Sequence, residues 1–171
     1  MKKGFILLAL LLVGACSANH SEHNQSHYAG EEKREIKAIS AEEISNYLNG
    51  NGMGLAKAAE LNGYPGPKHI LENESTLELT AAQKEEIQNS FQKMKNEAVD
   101  LGKQIVEKEK ELDGLFGQNK IDGDLLKTKT QEVAKLQGDL RNAHLQAHLE
   151  MKKVLSPEQV SKYNQMRGYI N

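Results

Sequence analysis

The chain has 171 residues, a formal net charge of −2, 27% charged and 5% aromatic residues, no Trp and one Cys. With two non-globular leading segments set aside, that length holds one compact domain of roughly 130 residues and not a second. A single thiol excludes disulfides and cysteine-built metal centres. Few aromatics and a dispersed, mildly acidic charge exclude base stacking and phosphate tracking, so no nucleic-acid partner is expected.

Met1-Lys2-Lys3 is basic, and residues 4–13 (GFILLALLLV) are an apolar run of ten. Such a run suits an export signal and falls far short of the ~20 residues a spanning helix needs. Gly14 and Ala15 then precede Cys16, so that Val13-Gly14-Ala15-Cys16 resembles the bacterial lipobox. The resemblance implies cleavage before Cys16, acylation of its thiol and amine, and a stable hold on a lipid membrane at about 0.8 kcal/mol per buried methylene. Loss of Lys2 and Lys3 with the leader would take the net charge from −2 to −4. Ser17 after the cysteine resembles an outer-membrane sorting signal, so the expected location is the periplasm, lipid-anchored to the outer membrane.

The expected organisation is a signal peptide over 1–15, a lipidated disordered tether over 16–39 and a helical domain over 40–171. Residues 17–39 (SANHSEHNQSHYAGEEKREIKAI) are polar and without periodicity, too poor in apolar side chains to offset the entropy of ordering. Such a tether would hold the domain about 25 Å from the lipid. His20, His23 and His27 cluster loosely in it, and without pre-organisation they would hold zinc or copper only weakly.

Ser40-Ala-Glu-Glu43 is a capping box, with Ile39 and Ile44 spaced as a hydrophobic staple and Gly50 as a stop, so a short helix is expected over 41–49. Residues 50–66 (GNGMGLAKAAELNGYPG) are broken by glycines and by the Tyr64-Pro65-Gly66-Pro67 turn, with room for a helical turn over 55–61. Thr80-Ala-Ala-Gln83 opens the longest periodic stretch. Ile87, Phe91, Met94, Ala98, Leu101, Ile105, Leu112 and Leu115 follow at steps of three and four, with one slot skipped at Lys108. One apolar stripe on one long helix results, closing near Gly117.

Residues 118–123 (QNKIDG) form a turn of the length that joins antiparallel helices. Leu126, Val133, Leu136, Leu140, Ala143, Ala147, Met151 and Val154 carry a second long helix back along the first. Ser156-Pro157-Glu158-Gln159, stapled by Leu155 and Val160, starts a last helix of about ten residues that ends at Gly168. No strand pattern competes, and the fold class is all-α: a long antiparallel helical hairpin closed by short helices at its ends.

Leu79-Thr80-Ala-Ala-Gln83 and Leu155-Ser156-Pro-Glu-Gln159 bracket that hairpin and resemble the paired LTxxQ motifs of the Spy/CpxP family of periplasmic proteins. The similarity covers roughly residues 68–167, and the same region is similar to the related metal-sensor branch typified by CnrX and ZraP. The resemblance implies a four-helix hooked hairpin, a homodimer, and a concave surface that holds unfolded client proteins without ATP. It also implies envelope stress duty, in some members with sensing or buffering of zinc, nickel, cobalt or copper. No catalytic residue comes with it.

His144 and His148, spaced i, i+4 on the second long helix, present both imidazoles on one face, a spacing that can clamp one borderline metal ion. Met151 lies one turn further on and could add a thioether, and Glu150 a carboxylate. With the turn centred near Asn119, positions summing to about 239 lie side by side, which puts His144 near Lys95 and His148 near Phe91. His69 is a third candidate. In the metal-sensor relatives the resemblance implies a His-x3-His before the first long helix and a His-x3-Met late in the second. Here Asn73 follows His69 at four, and Ala147 precedes Met151 at four.

The plainer readings make His144 and His148 groove-edge residues, Met53, Met94, Met151 and Met166 core gap-fillers, and 107–111 (EKEKE) a solvated helix face. Glu85 and Glu86 point to different sides of a helix, and no nucleophile, phosphate-loop or dinucleotide pattern stands in a strand-helix context, so no enzyme is expected. The leading expectation is a Spy/CpxP-type lipoprotein that binds unfolded or membrane-associated proteins or an envelope sensor protein. The alternative is a heavy-metal sensor or metal-resistance protein.

Overall fold

The computed structural model describes residues 26–169, so the leader, Cys16, His20 and His23 lie outside the described residues. Residues 26–30 form a short exposed turn in which Ala29 N–H donates to Ser26 O at 3.0 Å. From Glu31 the chain forms one unit of a 3-10 turn (Glu31–Lys33) and six α-helices among the described residues. They are α1 (Ala41–Leu48), α2 (Lys57–Glu60), α3 (Pro67–Glu72), α4 (Ala81–Gly117), α5 (Gly123–Val154) and α6 (Pro157–Met166). The all-helical hairpin follows the sequence expectation: α4 and α5 pack antiparallel along their length, and the shorter helices pack against them. At 37 residues, α4 is a rod about 55 Å long.

Three capping boxes start α1, α4 and α6 at Ser40, Thr80 and Ser156, each side-chain oxygen accepting from the backbone N–H three residues on. Asp122 caps α5 in the same way through Leu125 N–H. Asn119 takes up the left-handed conformation of the turn at φ 54°, which asparagine tolerates better than branched residues.

The two boxes at α4 and α6 interlock. Gln83 Nε2 donates to Gln159 Oε1 at 2.8 Å, and Gln159 Nε2 donates back to Gln83 Oε1 at 3.1 Å. Their second amide hydrogens go to the Val154 and Leu77 carbonyls, at 2.9 and 3.1 Å. Each carbonyl oxygen also accepts from its own cap, Thr80 N–H at 3.1 Å and Ser156 N–H at 2.9 Å. Every donor and acceptor of both amides is therefore used, as a polar pair inside a protein requires.

Around this clasp lies a basal core of Ile70, Leu77, Ile87, Met151, Leu155, Val160 and Tyr163, with half-buried Leu79 packed on it. Each large aliphatic here contributes about 1.5–3 kcal/mol by leaving water. A second cluster lies further along the hairpin: Ala98, Ile105 and Leu140, covered by Tyr47, Leu55, Leu101 and Leu136. The residues before α4 thus lie along the hairpin and touch both clusters. Gly102 sets the closeness of α1, since a Cβ there would lie 2.1 Å from the Tyr47 carbonyl oxygen.

Several details depart from the sequence expectations. The tether was expected to run to residue 39, yet Ile36 and Ile39 are 2% and 7% exposed. Lys110 Nζ meets Glu35 at 2.6 Å and Lys37 Nζ meets Asp113 at 3.1 Å, so packing begins at the far end of the hairpin, before α1. Two isoleucines three apart supply enough apolar area to order a segment that is otherwise charged. Leu126 stays 38% exposed because the hairpin tip has nothing to cover it. The charge run at 107–111 is not wholly a solvated face: Lys108 and Glu111 sit at the helix seam with Lys129 and Glu132, at 2.9–3.4 Å. Residues 67–72 form a helix, α3, where none was expected.

Gly102→Ala should force α1 away from α4 and cost about 1–3 kcal/mol, read as a lower urea midpoint at unchanged m-value; an unmoved midpoint would contradict the close approach at Tyr47. For the glutamine clasp, Gln83→Ala and Gln159→Ala should each leave a half-buried amide short of its partner. Their double-mutant cycle should then show coupling of about 0.5–3 kcal/mol, and simple additivity would mean the two amides act separately.

Candidate functional site

Between the two core clusters the hairpin is not filled by aliphatic side chains. Ile87 on α4 belongs to the basal cluster and Ala98 to the second, while on α5 the corresponding ends are Met151 and Leu140. In the interval, Phe91, Met94 and Lys95 of α4 face His144 and His148 of α5, and the loops on either side of α2 pass over them. The result is a cleft of about 550 Å³, walled by residues 50–54, Lys57, Glu60 and residues 66–69. The register matches the one expected from the turn to within a residue, with Ser90 meeting Glu150 and Glu111 meeting Lys129, and Phe91, Lys95, His144, His148 and His69 all come to the same cleft.

His144 is 5% exposed, and its Nε2 is buried without a hydrogen-bond partner. Burial lowers its pKa, with smaller contributions from neighbouring His148 and Lys95, so the ring is neutral at pH 7 and holds a lone pair. Gly52 lies close above, its absent Cβ only 4.0 Å from His144 Cε1.

The His148 ring is fixed by the loop. Its Nδ1 lies 2.8 Å from the Tyr64 carbonyl, which can only accept, so Nδ1 carries the proton and a neutral ring keeps its lone pair on Nε2. A backbone carbonyl holding the far nitrogen in this way is the usual support of a metal-binding imidazole. The space beside that Nε2 exists because residue 66 is glycine. A Cβ at Gly66 would lie 3.2 Å from His148 Nε2, 3.0 Å from Cε1 and 3.3 Å from Glu60 Oε2.

Glu60 organises the cleft's inner end. It accepts from Tyr163 Oη–H at 2.6 Å and Tyr169 Oη–H at 3.1 Å, and lies 3.4 Å from Arg167 Nε and 3.7 Å from His148 Nδ1. Tyr163 Oη in turn accepts from Gly66 N–H at 3.4 Å. Burial, then the bond to Glu60, pushes the Tyr163 phenol well above its ordinary range, so it donates at every physiological pH.

The other sequence candidates fall out differently. His69 Nδ1 is 2.8 Å from Glu72 Oε2, which draws that carboxyl below its usual range. Met151 is fully buried in the basal core and contributes no wall to the cleft, because the i+3 step from His148 turns it toward Ile87 and Tyr163. Glu150 faces the other side of the hairpin and accepts from Ser90 Oγ–H at 2.5 Å. Leu79, Thr80, Gln83, Leu155, Ser156 and Gln159 form the base of the fold rather than a wall of the cleft. Glu60, Gly66 and the Tyr64 carbonyl had no sequence signal beyond the glycine-broken loop that carries them.

The donor chemistry suits a borderline divalent ion: two imidazoles, one with an orphaned buried nitrogen and one held by a carbonyl. The array is open, since among the described residues no three His, Cys, Asp or Glu side chains are gathered closely enough to hold a metal. An ion here would be held from two nitrogens, with its remaining positions left to solvent or another ligand.

The lowered His144 pKa has a definite sign. The folded ring resists protonation while the unfolded chain takes a proton near pH 6.5, so stability falls as pH drops below that value and levels off under the folded pKa. In metal-free protein, urea midpoints compared at about pH 7.5 and about pH 5 should fall with acidity, and His144→Gln should flatten the fall. An equal slope in both would show that His144 is not the buried titrating group.

The family model for heavy-metal resistance matches residues 48–162. That span takes in both LTxxQ-like motifs, the whole hairpin, and His69, His144 and His148. Searches of the curated proteins and of the solved structures give no match. Among the described residues no helix is long and apolar enough to cross a membrane. With two thirds of its length under that one model, the chain belongs to the heavy-metal resistance family, a Spy/CpxP-like family.

Proposed function

We propose that the protein is a metal-resistance protein of the bacterial envelope, which binds a divalent transition ion (zinc, nickel, cobalt or copper) in the cleft under the glycine-rich loop. His144 and His148 are the nitrogen ligands, and His69 at the cleft's edge is an entry or auxiliary donor. The observation that carries this reading is the buried His144 Nε2, which no protein group satisfies. A buried nitrogen without a partner is costly, and an ion would repay it. Family membership supports the same chemistry and an envelope setting, and members are generally non-catalytic. In this reading Cys16, acylated, keeps the protein at the membrane, and the ion is cargo to be buffered or reported to an envelope sensor protein, with a homodimer as the working form.

Capture of unfolded proteins by the hairpin has less support. One groove formed by α4 and α5 alone is walled by Ser90, Lys93, Glu97, Asn142, Gln146 and Glu150, with Met94, Ala143 and Ala147 between them, so a client lying there would meet mostly polar groups.

Calorimetric titration of the metal-free chain with the four ions should give one site. His144→Ala/His148→Ala should weaken the best ion by at least about tenfold with the helical content unchanged. Equal affinity in wild type and double variant would remove the proposed site.

A further inference from the structure

We infer that the cleft takes its ion as a complex with a small multivalent oxyanion, the imidazoles binding the metal and Lys57 and Lys95 binding the anion. The inference rests on the metal-binding reading above and adds to it the chemical class of the cargo. Three observations lead to it.

The first is coordination. His144 and His148 offer two nitrogens, and no third ligand is gathered beside them among the described residues. A four- or six-coordinate ion seated there keeps at least two positions for something that is not protein.

Space is the second. The cleft measures about 550 Å³, many times the share of one water at about 30 Å³, so a ligand of several atoms fits beside the ion.

Charge is the third, and it decides the sign of the co-ligand. Lys57, Lys68, Lys95 and Arg167 line the cleft, against a single carboxylate, Glu60. That carboxylate is already engaged by Tyr163, Tyr169 and Arg167. Lys68 faces Glu72 at 3.8 Å. Lys57 and Lys95 have no carboxylate partner among the described residues, and the Lys95 ammonium donates only to the Asn49 carbonyl. A bare divalent cation bound to His144 would therefore sit in a field of its own sign. A metal carrying a di- or trianion arrives with its charge neutralised or reversed, and the two ammonium groups then attract it. Lys57 stands on α2 and Lys95 on α4, so the anion would bridge the loop side and the hairpin side of the cleft.

Equilibrium dialysis of the full chain tests this, with nickel as the metal and either radiolabelled citrate or radiolabelled phosphate as the anion. Citrate or phosphate should be retained one per chain only when nickel is present, and the anion retained better identifies the source of the oxyanion. Lys57→Gln/Lys95→Gln, changes at one exposed and one half-buried lysine outside both core clusters, should lower anion retention by about tenfold or more while nickel alone is held at least as tightly as before. His144→Ala/His148→Ala should lose metal and anion together. Nickel held equally well with no anion retained would overturn the inference and leave the metal site standing. Anion held without nickel would also overturn it. Neither metal nor anion held would overturn the metal-binding reading on which it rests.

Discussion

The arrangement of this molecule depends on one polar contact, the reciprocal amide pair of Gln83 and Gln159. Each glutamine belongs to a capping box that any soluble helix could carry, and alone would fix only its own first turn. Joined, they tie the start of α4 and the start of α6 to the carbonyl that ends α5 and to the Leu77 carbonyl before α4. Because all eight hydrogen-bonding positions are filled, a slip of either helix would break several half-buried bonds at once. The register that results runs the length of the hairpin, from Ser90 with Glu150 to Glu111 with Lys129. His144 and His148 face Phe91 and Lys95 because of that register, so the cleft is a consequence of the clasp at some distance from it.

The cleft itself reflects a local suspension of core packing. A hairpin stripe would ordinarily place an aliphatic at each turn, and here the α5 stripe passes through Ala143 and Ala147, both buried and small, with a histidine following each. The alanines let the helices come close, while the histidines take the edge of the seam, where the α2 loops roof them. Glycine at 52 and 66 leaves room over the rings. Glu60 and Tyr163 then anchor the loop to α6, which connects the cleft roof to the basal core through a short, charge-assisted bond.

Much of the architecture was legible in the sequence because the hairpin announces itself by periodicity. The steps of three and four from Ile87 to Leu115 and from Leu126 to Val154 require two amphipathic rods, and the turn at Asn119 fixes which residues meet. The opposition of His144 to Lys95 follows from that arithmetic alone. What the pattern could not supply is non-local and irregular. The Tyr64 carbonyl reaches His148 across 84 residues of chain, and nothing in a Tyr-Pro-Gly-Pro turn says where its carbonyls will point. The six-residue α3 has a proline start but too few residues to show a period. Ile39 is legible as the staple before α1, but Ile36 stands alone among charges, and nothing local says that both will pack on the hairpin tip. Met151, one turn beyond His148, falls on the core side of the helix, as its place in the apolar stripe requires.

The entry of the chain into the folded body at the hairpin tip gives the molecule a mechanical polarity. The amino end is fastened there by two isoleucines and by two exposed ion pairs, Glu35–Lys110 and Lys37–Asp113, of the kind that ionic strength weakens. Tension applied from the amino side loads these contacts one after another, like a zipper opened from its end, before any force reaches the base. From Asp113 to Lys95 is about 27 Å of helix, so the first strap can peel away and reseat while the histidine-lined cleft stays as it was.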